Sequence, residues 1–295
     1  MNMKLMEFPP ITLRLPERPV AGIVLTSPHS GSRYSREFLE SSRLDSLSIR
    51  GSEDAFVDEL FEMAPDLGLP LLAAQFPRAW CDVNREPWEL DPAMFTDHLP
   101  DYVNTTSPRV AAGLGTLARI VGAGEPIYTR KLSFQEAQAR VEQCWLPFHE
   151  ALAKLIDDNL ARFGHCLVLD CHSMPTPLSR LGGRPDVVLG DGHGTSCLPA
   201  WSNHIAAGFG RLGFSVRRND PYAGGFITRH YGNPHEGVQV MQIELARGLY
   251  MNERQFTRKP VFETLRQKLT CFLEGVIATE QSWGARGPGL AEAAE

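Results

Sequence analysis

Long apolar runs are missing from this sequence. No stretch is long enough to span a bilayer, and the opening residues, Met-Asn-Met-Lys-Leu-Met-Glu-Phe-Pro-Pro, hold no apolar segment of the kind that directs secretion. A cytoplasmic protein without a membrane partner is the expectation. Cysteine is sparse and irregular: six residues, at 81, 144, 166, 171, 197 and 271, with no Cys-x-x-Cys pair, argue against a disulfide framework. Several lie inside apolar runs, where a cysteine acts as a small buried hydrophobe. Positive charge is not in excess either. Lys+Arg number 29 against 35 Asp+Glu, and the net charge of −6 turns the reading away from nucleic acid and anionic membranes. No internal repeat is visible. What remains is an ordinary globular composition, 43% hydrophobic and 22% charged over 295 residues, enough for one large α/β domain or two smaller ones.

The chain is organised around Cys166-Leu-Val-Leu-Asp-Cys-His-Ser-Met-Pro175. This short apolar run after Gly164 reads as a strand buried on both faces. Asp170 and His172 fall on one side of it because strand side chains alternate. The pair fits a metal-binding imidazole with an orienting carboxylate, and equally a buried His–Asp pair that satisfies itself. A second junction of the same kind lies upstream. Residues 19–27 read as a core strand ending in the turn-rich loop Ser27-Pro-His-Ser-Gly-Ser-Arg33, which carries His29. Ser52 then N-caps an expected helix that begins Glu53-Asp54, and either acid suits a helix start or a place beside His29.

A third strand, 69–76, leads to Asp82-x-Asn84-Arg85. An arginine fork with an amide suits a substrate carboxylate or an oxyanion, and equally a structural ion pair with Asp82 or Glu86. Residues 87–126 lack periodicity and read as a lid or binding loop, closed by Gly122-Ala-Gly-Glu-Pro-Ile-Tyr128. Ser133-Phe-Gln-Glu136 is a capping box opening a helix that runs to about Gly164, with a kink expected at Pro147. Further on come a strand at 186–190, a weak ligand candidate in His193, a helix over 198–210 and a strand over 214–217. Residues 219–234 form the densest polar loop, with Arg229 and His230 beside two glycines. A strand over 238–245 carries Glu244 near its end, a helix follows 260, and 284–295 reads as a loose tail.

Gathered at strand ends are His29, an acid at 53 or 54, Asn84-Arg85, His172, Arg229 and Glu244. Two imidazoles and a carboxylate make a catalytic zinc set, and a further glutamate can take a proton from water. There is no His-Glu-x-x-His, so the zincin layout is excluded.

Six motifs, Ser27-Pro-His-Ser-Gly31, Ser52-Glu-Asp-Ala-Phe-Val-Asp58, Asp82-Val-Asn-Arg85, Asp170-Cys-His-Ser173, Gly225-Phe-Ile-Thr-Arg-His-Tyr-Gly232 and Gln242-Ile-Glu244, together resemble the N-formylglutamate amidohydrolase family. They keep the family's order from about residue 20 to 252. The resemblance implies a three-layer α/β/α fold with a mixed, mostly parallel sheet, similar to the zinc carboxypeptidases, in a single catalytic domain over 1–283. It points to Asp54 rather than Glu53, so that His29, Asp54 and His172 hold Zn2+. It implies that Glu244 is the proton carrier, that Arg85 stabilises an oxyanion, and that Asn84, Arg85, Arg229, His230 and Tyr128 bind substrate. Asp-x-Asn-Arg recurs in the aspartoacylase relatives of that fold, whereas Ala55-Phe56 stands where the family's deformylases carry Trp-His. The implied partner is a small N-formyl or N-acyl amino acid, N-formyl-L-glutamate first. A broader N-acyl amino acid deacylase, a small-peptide carboxypeptidase and a non-catalytic binding protein are the rivals. Nothing fixes an oligomeric state, and a monomer is compatible with the sequence.

Overall fold

A computed structural model describes residues 7–122, 124–176 and 185–284. Seven strands form one sheet: β1 (Ile11–Arg14), β2 (Ile23–Ser27), β3 (Leu71–Ala74), β4 (Cys166–Met174), β5 (Val187–Gly190), β6 (Val216–Arg218) and β7 (Val238–Ala246), in the order β1-β3-β2-β4-β7-β5-β6. β2, β4 and β7 are parallel neighbours, β5 runs antiparallel to β7, and β6 is parallel to β5. The fold is α/β with a mixed, mostly parallel sheet, as the sequence leads one to expect. The helices are α1 (Arg36–Ser41), α2 (Val57–Leu60), α3 (Pro108–Ala111), α4 (Phe134–Arg140), α5 (Leu146–Phe163), α6 (Pro199–Arg211), α7 (Phe226–Tyr231) and α8 (Phe262–Gly284). Gly284 therefore closes a helix, and the rest of the expected loose tail lies outside the described residues.

Internal packing divides the chain into two compact units: Met1–Thr12, Pro28–Ala55 and Leu72–Leu152 make one, and Leu13–Ser27, Phe56–Leu71 and Ala153–Glu295 the other. In the second unit all nine residues of β4 and all nine of β7 are buried. Full burial of each Leu or Val there contributes about 1.5–3 kcal/mol, and this fixes the register. A slip of one residue would turn Asp170 and His172 to the opposite face. α8 buries Leu265, Leu269, Phe272, Leu273 and Val276, a helical stripe, and Phe272 stacks on Phe209 of α6 at 4.1 Å. Farther along α8, Glu280 Oε1 accepts from the Gly22 amide at 2.9 Å and lies 2.7 Å from His165 Nε2. That carboxylate ties the last helix to the residues that open β2 and β4.

The first unit is built differently. Residues 87–126 are not a lid. Leu90, Met94, Phe95, Leu99, Val103, Leu117, Ala118 and Val121 are buried in one cluster with Phe38 of α1 and Ala137 of α4. The segment lacks periodicity because turns, a 3-10 turn at Pro92–Met94 and the short α3, not a long regular element, deliver those side chains. The capping box is present: Ser133 Oγ accepts from the Glu136 amide, and Glu136 Oε2 accepts from Ser133 N. Downstream of α4 the ladder shifts to a π-helical turn, Val141–Trp145, before α5. Pro147 lies just beyond it and supplies no amide to bond one turn back. The wider turn accommodates that loss.

Candidate metal centre

His29 comes from the loop after β2, and its position is set on two sides. Asp82 Oδ1 lies 2.7 Å from Nε2, while Asp54 Oδ2 lies 3.5 Å from Nδ1. Burial by itself would raise the Asp82 carboxyl, but Arg78, His29 and Arg85 together hold it well below the usual carboxylate range. Asp82 is therefore an ionised acceptor. A neutral imidazole that donates from Nε2 to this acceptor turns its Nδ1 lone pair toward Asp54. The sequence offered Asp82 or Glu86 as a possible ion-pair partner of Arg85, and arginines do stand beside Asp82, Arg78 at 2.7 Å and Arg85 at 3.9 Å; the bond to His29 was not anticipated, although a ligand imidazole ordinarily donates its second nitrogen to a carboxylate.

Glu53 and Asp54 do not open a helix. Residues 48–52 form a short 3-10 turn and α2 begins only at Val57. The Asp54 amide donates instead to His29 O at 3.0 Å, and Phe56 takes a left-handed φ of 67°, so the chain turns sharply after the acid. Tertiary bonding outweighs the local preference of two acids for a first helical turn. The same geometry separates the two carboxylates. Glu53 accepts from Arg50 Nε and Nη2 at 2.9 and 2.8 Å and from Tyr34 Oη at 3.1 Å, whereas Asp54 faces His29.

His172 repeats the pattern on β4. Its Nε2 lies 2.9 Å from Asp170 Oδ2, and Asp170 Oδ1 accepts from Thr26 Oγ1 at 2.7 Å. The second nitrogen is again held by a carboxylate, leaving Nδ1 as the donor atom. Across the ladder, Thr26 and Gln242 stand in register with Asp170, and Glu244 stands in register with His172. Register partners on parallel strands present side chains on the same face, about 4.8 Å apart between strands. Gln242 Nε2 donates to Glu244 Oε1 at 2.8 Å. A polar row thus crosses β2, β4 and β7, and one same-face step along β4 and β7 an imidazole stands beside a carboxylate.

His29, Asp54 and His172 are all buried, and one ligand atom from each lies within 4.8 Å of the others. The group could hold a metal ion. Asp82→Asn keeps the shape but weakens the acceptor that orients His29. It is expected to lower metal affinity roughly 10–100-fold in a chelator competition, the usual effect of losing such a partner. Unchanged affinity would show that Asp82 does not orient the ligand.

Arg85 and Asn84 lie in the turn after Asp82. Arg85 is buried, its Nε donates to Leu114 O at 2.9 Å, its Nη1 to Asn84 O at 2.7 Å, and Nη2 lies 3.9 Å from Asp82 Oδ2. Burial lowers its pKa, with Asp82 opposing the shift. The turn is buttressed on both sides. Residues 87–126 supply Leu114 O and Thr116 O, the latter accepting from the Asp82 amide at 2.7 Å. The helical side supplies Trp145, whose Nε1 donates to Arg85 O at 3.0 Å, and His149, 2.8 Å from Val83 O.

Other expected residues stand elsewhere. Tyr128 is buried in the first unit's apolar cluster, and its hydroxyl accepts from Arg140 Nη1 at 2.6 Å. Arg229 and His230 are on α7, a helix where the sequence suggested a loop; both are exposed, and His230 stacks on Phe226 at 4.7 Å. His193 is exposed in a turn at φ 57°. Arg247, which drew no attention in the sequence, is buried just past β7 and donates from Nε to Ser173 Oγ at 3.1 Å.

Comparison with known proteins places these features in a family context. A family model described as N-formylglutamate amidohydrolase matches residues 21–251. N-formylglutamate deformylase of Pseudomonas putida is 30% identical over 269 residues, covering 89% of this chain and 93% of the relative; that of Pseudomonas aeruginosa is 29% identical over the same length. The crystal structure of N-formylglutamate amidohydrolase from Ralstonia eutropha superposes with a TM-score of 0.88 at 34% identity, over 93% of this chain and 99% of the other.

Proposed function

The chain belongs to the N-formylglutamate amidohydrolase family, and on that premise we propose that it is a zinc-dependent hydrolase cleaving N-formyl-L-glutamate to formate and glutamate. The observation that carries the metal is the buried His29, Asp54 and His172 group, in which each imidazole has its Nε2 held by a separate carboxylate. The donor set fits zinc. Bonds of about 2.0–2.1 Å in tetrahedral arrangement put neighbouring donors roughly 3.3 Å apart, and His29 Nδ1 stands 3.5 Å from Asp54 Oδ2. When bound, zinc would supply a Lewis acid that polarises the formyl carbonyl and acidifies water.

The protein's own groups do the rest. Glu244 accepts a proton as water oxygen bonds to the formyl carbon, and returns it to the amine nitrogen as the C–N bond breaks. Gln242 holds the carboxylate in place through the 2.8 Å bond. Arg85 and Asn84 receive the α-carboxylate or the developing oxyanion, on a turn already fixed by Leu114, Trp145 and His149. Arg229, exposed on α7, meets the side-chain carboxylate, and its contribution is correspondingly smaller.

Substrate charge tests this reading. N-formyl-Glu, N-formyl-Gln and N-formyl-Leu, each as free acid and α-amide, are compared on wild type and Arg229→Met. Loss of the α-carboxylate removes a charge-assisted bond to a buried arginine, about 1.5–3 kcal/mol or roughly one to two decades in kcat/KM. Loss of the side-chain carboxylate is expected to cost about fivefold or less, and that difference should vanish in Arg229→Met. Indifference to both carboxylates would favour a broader N-acyl amino acid deacylase.

A further inference from the structure

Arg140, the last residue of α4, is 3% exposed, and none of the described residues offers it a carboxylate partner. Its Nη1 donates to Tyr128 Oη at 2.6 Å and Trp80 O at 3.3 Å, its guanidinium carbon stands 3.5 Å over the Trp80 ring, and Nε has no hydrogen-bond partner. Glu136, one turn earlier, is the expected helical partner. That carboxylate is already taken by Arg130 Nη1 and Nη2 at 3.0 and 2.8 Å and by the Ser133 amide at 2.8 Å. A buried guanidinium with an unmet donor is costly unless a ligand answers it.

The same arginine lines a cavity of about 240 Å³ walled by Phe8, Phe38, Phe76 and Trp80. None of His29, Asp54, His172, Arg85 and Glu244 lines it. We propose that this cavity is a second ligand site, taking a small organic monocarboxylate whose apolar body lies against the phenyl rings while its carboxylate accepts from Arg140. The planar guanidinium matches a carboxylate, and the aromatic wall matches a hydrocarbon body. The volume is below that of a drug-sized site and suits roughly ten non-hydrogen atoms. Glutamates 7, 37, 40 and 136 and arginines 33 and 36 also line it. With Arg140 that makes four acidic side chains against three basic ones, a balance that weighs more against a dicarboxylate or a phosphate than against a single carboxylate seated on Arg140, and this separates the ligand from N-formylglutamate.

The test is calorimetric titration of the metal-loaded enzyme with 3-phenylpropionate and with 3-phenylpropanamide. The acid is expected to bind one site per chain, with the amide at least tenfold weaker. Arg140→Lys, checked for folding by thermal melting, should weaken the acid at least tenfold. Ala139→Phe, a substitution at a half-buried helix position on the cavity wall, should abolish binding by filling the space without removing the guanidinium. This second variant decides the matter if Arg140→Lys fails to fold. Binding should persist in His172→Ala. No binding of the acid by wild type at millimolar concentration would overturn the proposal, as would equal binding of acid and amide. So would binding that survives Ala139→Phe but disappears in His172→Ala, because the acid would then occupy the metal centre. Failure here leaves the amide-hydrolysis reading untouched.

Discussion

Glu244→Gln is expected to lower kcat roughly 10²–10⁴-fold, the usual scale for removing a general base, with folding and metal content intact. Glu244 lies on β7 in register with His172 on β4, so one substitution removes the carboxylate beside the ligand without touching the ligand. Glutamine keeps the volume and can still accept from Gln242, so the buried row stays packed. Steady-state kinetics and metal analysis on the same preparation separate the outcomes. Near-wild-type turnover would remove Glu244 from proton transfer. Loss of metal together with turnover would make it a ligand.

His172→Ala is expected to lose most of its metal and reduce formate release to background. It should also destabilise the fold. Asp170 is fully buried, and without the imidazole its carboxylate would keep the Thr26 hydroxyl but lose its ring partner. A buried acceptor deprived of a partner costs about 1–3 kcal/mol. Adding Asp170→Asn to the variant should recover part of that stability and none of the metal. Stoichiometric metal in purified His172→Ala would refute the ligand assignment.

β2, β4 and β7 were legible in the sequence because they are buried along their length, and a short apolar run bounded by turn residues admits few other readings, whereas the half-exposed β1 gave no such signal. The centre was partly legible for the same reason: polar residues at the ends of apolar strands stand out. Other features depend on tertiary contacts that no local pattern encodes. Glu53 and Asp54 resemble the acidic first turn of a helix, but the Asp54 amide bonds to His29 O and the Glu53 carboxylate to Arg50 and Tyr34, contacts that no local pattern announces. Asp82 serves a histidine 53 residues earlier in the chain, while the nearby arginines suggested an ordinary ion pair. Residues 87–126 bury many apolar side chains without a repeat, so they read as a lid or binding loop although they form core and brace Arg85. Glycines before Phe226 and after Tyr231 suggested loop where α7 forms, and the exposed faces of Arg229 and His230 could not be told from composition.

The most direct test is formate release from N-formyl-L-glutamate by the purified protein before chelation, after it, and after zinc is restored. Activity is expected to fall to background in the metal-free protein and to return in proportion to zinc, reaching its plateau near one ion per chain. Full activity in protein shown by elemental analysis to be free of metal, or no formate from the zinc-loaded enzyme, would contradict the account.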